Sequence, residues 1–244
     1  IFLGAVPKQG KTSMAMHFAL KAKVPVLFFT LEMLPEEIAD RQFAAFGKVS
    51  ANKIKTGNLS SEDWHKLTEA TGALADKPVG WVKKAGLTVT QIKAMCRRFQ
   101  AEHGLGLVII DQLDKISERS LQNENRSDTI GRTTRALKLM AMDLEVPVVC
   151  LTQLLDKQVG RRDTPRPKPG DIRDSSYPEQ DADVVLFMWR PCFYWPEEHK
   201  FQNKAEVIIS RQRSGATGSV WVRWDPGTVS FDNLVWTEWP EVDW

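Results

Sequence analysis

The segment that most constrains this chain stands near its start, Ala5-Val6-Pro7-Lys8-Gln9-Gly10-Lys11-Thr12. It matches the phosphate-loop spacing GxxxxGK[ST], with Ala5 in place of the first glycine. An apolar, strand-like run at 1–5 precedes it and a helix-forming run at 12–23 follows. The chemistry needs that order. Backbone N–H groups of the loop and of the helix N-terminus wrap a phosphate. Lys11 adds positive charge at the β- and γ-phosphates, and the Thr12 hydroxyl reaches magnesium. Pro7, Lys8, Gln9, Gly10, Lys11, Thr12 and Ser13 are therefore the expected nucleotide-binding residues. The bland alternative, a surface turn that happens to contain Gly-Lys-Thr, would need neither flanking element.

A phosphate loop implies an α/β sheet, and the next runs agree. Residues 24–31, 107–110 and 146–151 are fully apolar and too short for helices. Helical patterns alternate with them. Pro35 with Glu36 and Glu37 opens one helix. Ser60 with Asp63, and Thr88 with Gln91, have capping-box spacing and open two more, ending near Leu74 and Gly104. Ile130, Thr134, Leu137, Ala141 and Leu144 step by four and three along one buried helix face. Fully apolar strands alternating with helices predict a mainly parallel sheet covered on both faces. The last third differs. Runs 184–188, 205–210 and 219–224, then 228–231 after the Asp225-Pro226-Gly227 turn, lack long helices between them. The sheet is expected to finish with antiparallel strands. Stretches 117–126 and 155–176 are the least regular, and Pro165, Pro167 and Pro169 make the second a loop.

Composition narrows the class. With 244 residues, 42% apolar and 26% charged, the chain can bury a sizeable core and is not disordered. Its apolar runs fall short of the ~20 residues that span a bilayer. No signal peptide opens it, and a start at Ile1 reads as a fragment or a trimmed end. Cys96, Cys150 and Cys192 form no CxxC pair, which speaks against zinc and a disulfide scaffold and fits a reducing cytoplasm. Of nine Trp, five stand at or after Trp221; in the 235–244 tail, core packing is expected, with a partner-binding patch as the alternative. A net charge of +2 hides local asymmetry.

Three further residues belong at the strand ends of a phosphate-loop sheet. Asp111 follows the 107–110 run, where a carboxylate points into the ligand crevice and holds magnesium. Glu32 closes the 24–31 run, where it can orient or deprotonate a water attacking the γ-phosphate. Gln153 ends the PVVCLTQ run, where an amide can sense that phosphate. Each alone is as well explained by an ordinary strand-end polar residue; together with Lys11 they converge on one crevice. Past Gln153, Lys157, Arg161, Arg162, Arg166 and Lys168 face a single acid, Asp163. Such a basic loop suits a nucleic-acid backbone, or is simply a solvated loop. Arg211 and Arg213 flank Gln212 past the AEVIIS run; alternate positions point one way. They can stabilise phosphoryl charge in a neighbouring subunit, or guard a sheet edge.

Taken in order, AVPKQGKTSMAM, FTLEM, VIIDQL, VPVVCLTQL, RPKPGDIRDSSYPEQDADVVLFMWR and AEVIISRQRSGATG resemble the C-terminal RecA-like ATPase domain of DnaB-type replicative helicases, over about 1–234. The resemblance implies Mg-ATP hydrolysis coupled to movement along single-stranded DNA and duplex unwinding in a six-subunit ring, with primase and a helicase loader as further partners. It implies Lys11 and Thr12 as the nucleotide-binding pair and Glu32 as the catalytic glutamate. Asp111 is the implied magnesium ligand, Gln153 the sensor, and Arg213 the finger acting across the subunit boundary. Arg173, Asp174 and Ser176 match its DNA-backbone loop. The sequence departs at Gln112, where the family commonly has Tyr, at Arg211 for Lys, and at Ser176 for Gly. The family's N-terminal domain and linker helix are absent, so a monomer, weak assembly or an open filament is expected of the fragment. Its setting is the cytoplasm of a bacterial or phage-infected cell. A non-helicase RecA-like ATPase, and a DNA scaffold module that binds nucleotide without turnover, are the alternatives.

Overall fold

The computed structural model describes residues 1–118, 124–172 and 176–241. The chain opens with β1 (Phe2–Ala5), the phosphate loop and α1 (Lys11–Lys21), then β2 (Val26–Thr30), α2 (Pro35–Gly47), α3 (Ala51–Thr56) and α4 (Ser61–Ala75). It continues through β3 (Val79–Lys83), α5 (Val89–His103), β4 (Leu107–Asp111), α6 (Arg126–Leu144) and β5 (Val148–Gln153). Two short helices follow, α7 (Asp156–Val159) and α8 (Tyr177–Asp181), and then strands β6 (Val184–Trp189), β7 (Lys204–Gln212), β8 (Gly218–Asp225) and β9 (Ser230–Asn233).

The described strands form one nine-stranded sheet in the order β3-β2-β4-β5-β1-β6-β7-β8-β9. Pairing is parallel as far as β6 and antiparallel from β6 to β9. The expected antiparallel finish is present, and it begins one strand later than the change in sequence pattern.

The apolar runs are explained by burial on two faces. In β2, Val26 and Phe28 pack with Met14 and Ala15 of α1 and Ile38 of α2. Leu27 and Phe29 pack on the other face with Ile92 of α5 and Leu137 of α6. Ile109 and Val108, and Val149 and Cys150, divide in the same way. Both anticipated capping boxes form: Asp63 N donates to Ser60 Oγ at 3.2 Å and Gln91 N to Thr88 Oγ1 at 3.3 Å.

Some elements differ from the expectation. Strand β3, only half-buried, and α3, without a buried residue, have no apolar periodicity to announce them. The final strand is displaced to Ser230–Asn233 because Asp225 caps its turn, accepting from Gly227 N at 2.8 Å and Thr228 Oγ1 at 2.8 Å. The loop expected at 155–176 contains α7, and an antiparallel bridge of Leu154 with Ile172 closes it. Trp221 and Trp224 are core residues, whereas Trp236 is 77% exposed, so core packing does not hold for that part of the tail. Trp244 lies outside the described residues. Among the described residues no helix is long and apolar enough to cross a membrane.

Candidate functional site: a nucleotide cleft at the strand ends

Parallel register brings the expected residues together. Ala5 is level with Gln153, and Thr30 with Asp111, so β1, β2, β4 and β5 end along one edge. The cleft there, about 430 Å³, is lined by Lys8, Gly10, Lys11, Thr12, Glu32, Asp111 and Gln153 among others. Pro7 and Ser13 also line it; Gln9, 1% exposed, lies beneath the loop.

The loop is bent by positive φ at Lys8 (66°) and Gly10 (93°). Bends of this kind turn successive N–H groups into an anion-binding concavity. Gly10 is needed doubly: its φ favours glycine, and a Cβ there would approach the Phe231 ring at 3.0 Å. Arg190, at the end of β6, braces the loop from below. Its N–H donates to Gln9 Oε1 at 2.8 Å, its Nη2 donates to the Lys8 carbonyl at 2.7 Å, and its guanidinium lies 4.5 Å from the Trp224 ring.

Thr12 Oγ1 donates to Asp111 Oδ2 at 2.6 Å. Lys11 Nζ donates to Gln112 Oε1, whose amide nitrogen lies 3.4 Å from Glu32 Oε2. Glu32 also faces Lys115 at 3.8 Å. Gln112 thus links the two residues expected to act on the γ-phosphate. Burial pulls the Lys11 ammonium below its ordinary range, opposed by Asp111 and Asp114. Burial pushes the Asp111 carboxyl up, opposed by Lys11 and the Thr12 bond. Each buried charge is uncomfortable alone, and a magnesium nucleotide, if bound there, would supply the missing counter-charges.

The residues present fit such a ligand. Ser13 is 5% exposed, and its Oγ has no hydrogen-bond partner among the described residues although it lines the cleft. A buried hydroxyl without a partner is costly unless a ligand supplies one.

Arg41 of α2 and Trp224 of β8 also line the cleft and were not anticipated. Arg41 is a second cation acting on Asp111. No local motif marks either residue; only the folding of α2 and β8 over the loop brings them in.

The basic loop divides. Arg162 forks onto Asp171 at 2.8 and 2.5 Å, and Asp171 is fully buried. Arg166 forks onto Glu206 at 2.9 and 2.7 Å, and Glu206 is 1% exposed. Both guanidinium groups therefore shape the loop, which changes the expected phosphate-binding part of Arg162: its planar fork is already filled by a carboxylate. Arg161 and Lys168 are exposed. Ser176 stands at the N-cap of α8, and its Oγ accepts from Gln180 Nε2 at 3.1 Å. Arg173, Asp174 and the Lys157 side chain lie outside the described residues. Arg211 and Arg213 are not in the cleft of their own chain. Arg211 donates to the Glu179 carbonyl and Arg213 Nη1 to Asp183 Oδ1 at 3.3 Å.

A mainly parallel sheet with this cleft at its strand ends defines a RecA-like phosphate-loop domain. More particularly, residues 1–233 match the model of the DnaB-like helicase C-terminal domain, and the chain belongs to that family. It is 39% identical over 224 residues to the replicative DNA helicase DnaC of Bacillus subtilis, covering 90% of this chain and 49% of that protein. It is 37% identical over 241 residues to DnaB of Pasteurella multocida, covering 96% of this chain and 51% of that protein. The chain thus spans about half the length of these relatives. Among solved structures, an ATPase domain superposes on the chain with a TM-score of 0.89 at 34% identity, covering 96% of this chain and 84% of that one. A DnaB-like replicative helicase described with its interactions with primase superposes with a TM-score of 0.90 at 34% identity, covering 96% and 57%.

Proposed function

We propose that this chain is the motor domain of a replicative DNA helicase, coupling Mg-ATP hydrolysis to translocation on single-stranded DNA and to duplex unwinding. The observation that carries the reading is the convergence of Lys11, Thr12, Glu32, Asp111 and Gln153 on one cleft, in a chain of this family. The loop from Pro7 to Ser13 holds the phosphates, and Lys11 supplies charge at the β- and γ-groups. Thr12 and Asp111 would hold magnesium, which when bound offsets the negative charge that develops on the phosphates. Glu32 accepts a proton from the attacking water, and Gln153 senses whether the γ-phosphate is present. Arg213, with Arg211 beside it, serves the cleft of a neighbouring copy in a hexameric ring.

Single-stranded DNA is read by its backbone, through Lys157 and Arg161 on the loop after Gln153 and through Arg173, Asp174 and Ser176. Arg162 supports that loop through Asp171. Primase and a helicase loader are the expected protein partners, and the cytoplasm is the setting. Residues 1–234 form the motor, and 235–244 a separate Trp-rich tail.

ATP turnover by the wild-type chain and Lys11→Ala, with and without single-stranded DNA, tests the reading, together with strand separation by the full chain. DNA-stimulated turnover and unwinding, both lost in Lys11→Ala with the fold intact, are expected. Normal hydrolysis by Lys11→Ala would overturn the site. Turnover without unwinding would leave an ATPase of another kind.

A further inference from the structure

Arg213 rests on Asp183. Its backbone N–H donates to the Asp183 carbonyl at 2.8 Å, which carries the β6–β7 pairing one residue further, and its Nη1 reaches the carboxylate at 3.3 Å. The same carboxylate accepts a shorter bond from Lys138 of α6. Lys138 is the main cause holding the Asp183 carboxyl below the usual range, with Arg213 a lesser one. Arg211 leans on the same segment, through the Glu179 carbonyl. A bulge between Val185 and Leu186 breaks the register of β6 and β7 beside these residues, and bulges re-aim the side chains next to them.

The 177–183 segment is in turn seated on one face of α6, where Gly131, Thr134 and Lys138 step by three and four. A Cβ at Gly131 would meet the Tyr177 ring at 2.7 Å, so the bare glycine makes room for it. Thr134 Oγ1 donates to Asp181 Oδ2 at 2.6 Å. Lys138 completes the row by reaching Asp183.

We propose that Asp183 is a positioning residue for Arg213, aiming its guanidinium for the cleft of a neighbouring copy while Lys138 anchors the carboxylate. This rests on the reading of Arg213 as a finger that acts between copies. The side chains of Arg213 and Asp183 are 71% and 44% exposed, so their attraction is weakened by water and directs the arginine without trapping it. When Arg213 moves onto phosphate, Lys138 remains as counter-charge, and no unpaired acid is left behind. An ordinary surface ion pair would share the geometry but would have no reason to act through turnover.

The test is a double-mutant cycle in the full chain, assembled at high concentration with single-stranded DNA and followed by ATP turnover. Arg213→Ala alone is expected to lower kcat by about 10³-fold or more. Asp183→Asn is expected to lower kcat by about tenfold, with about 10²-fold as the ceiling for a misplaced group, and to leave the KM for ATP unchanged. Asp183→Glu should recover most of the loss. In the Arg213→Ala background, Asp183→Asn should cost nothing further, because residues acting through one group are not additive. A silent Asp183→Asn, or losses that multiply in the double variant, overturns the proposal and leaves the finger reading standing. Full turnover by Arg213→Ala overturns both. If Asp183→Asn does not fold, Lys138→Gln takes its place: a kcat loss absent from the Arg213→Ala background supports the proposal, and a silent or additive effect sinks it.

Discussion

At the scale of single residues, burial sets the chemistry of the cleft. Lys11 and Asp111 are each pushed by desolvation toward the neutral form, and each is held by the other's charge. Thr12 is tied to Asp111 in advance at 2.6 Å, so hydroxyl and carboxylate already face one point. Glu32 differs. Its side chain is 58% exposed and, among the described residues, meets the cluster through Gln112 and Lys115. On the proposed reading, a residue so loosely held would contribute little to nucleotide affinity and would act on water. Glu32→Gln is therefore expected to bind ATP as the wild type does and to lose turnover by ~10²–10⁴-fold. Parallel titration of nucleotide binding and steady-state hydrolysis checks this. Weakened binding with unchanged turnover per bound ATP would assign Glu32 a structural part.

At the scale of elements, two polar devices add to what the apolar core holds, one at a helix that buries little and one at the loop after β5. Helix α4 buries little besides Asp63 and Ala70, so its N-terminus matters more than usual. Ser60 and Asp63 cap it reciprocally, and Lys53 of α3 donates to Asp63 at 2.8 Å. Ser60→Ala should cost about 1 kcal/mol of unfolding free energy, read by denaturant titration. Lys53 and Ser60 hold the Asp63 carboxyl well below the carboxylate range. The folded value lies below the unfolded one, so this stabilisation is present at neutral pH and is lost as pH falls through the acid range. Ser60→Ala should accordingly lose somewhat less stability than the wild type on acidification; an equal loss would leave the Asp63 carboxylate to Lys53 and the Ser60 backbone N–H, with no part for the hydroxyl. The second device is the Arg166–Glu206 fork, which ties the loop after β5 to β7. Arg166→Ala leaves a carboxylate 1% exposed without its partner and should cost about 3 kcal/mol, the low end for a buried pair because the arginine is partly wet. Arg166→Met with Glu206→Leu should recover most of it in the same melt, and failure to do so would mean that the loop needs the pair for its shape.

For the whole molecule, the cleft and the residue proposed as a finger lie on different parts of one chain. Arg213 is absent from the lining of its own cleft, and its side chain is 71% exposed. On the proposed reading, the finger of one copy therefore stands away from its own cleft. Mixing Arg213→Ala with Lys11→Ala should restore activity that neither variant has alone, since the first retains a good pocket and the second a good finger. The mixture must be assayed where copies assemble, at high concentration with DNA. Turnover plotted against mixing ratio should pass through a maximum. A flat response in demonstrably assembled mixtures would make Arg213 a residue that acts on its own chain or only guards the sheet edge.

What the sequence determined by itself was the local grammar. The phosphate loop, the capping boxes at Ser60 and Thr88, and the fully apolar strands are encoded within a few residues of one another, so their physics is legible in a linear reading. The strand-end residues Glu32, Asp111 and Gln153 were legible for a related reason: in a parallel sheet the position after an apolar run predicts which edge a side chain reaches. Tertiary structure alone decided the rest. Arg41 and Trp224 enter the cleft because α2 and β8 fold over it, from 29 and 212 positions past Thr12, and no spacing rule spans such distances. Arg162 and Arg166 looked like free cations because their partners, Asp171 and Glu206, give no sign in sequence of being buried acids. Whether a charge is a ligand for something else or half of an internal pair depends on what the fold sets opposite it, and that is fixed only when distant strands have found their register.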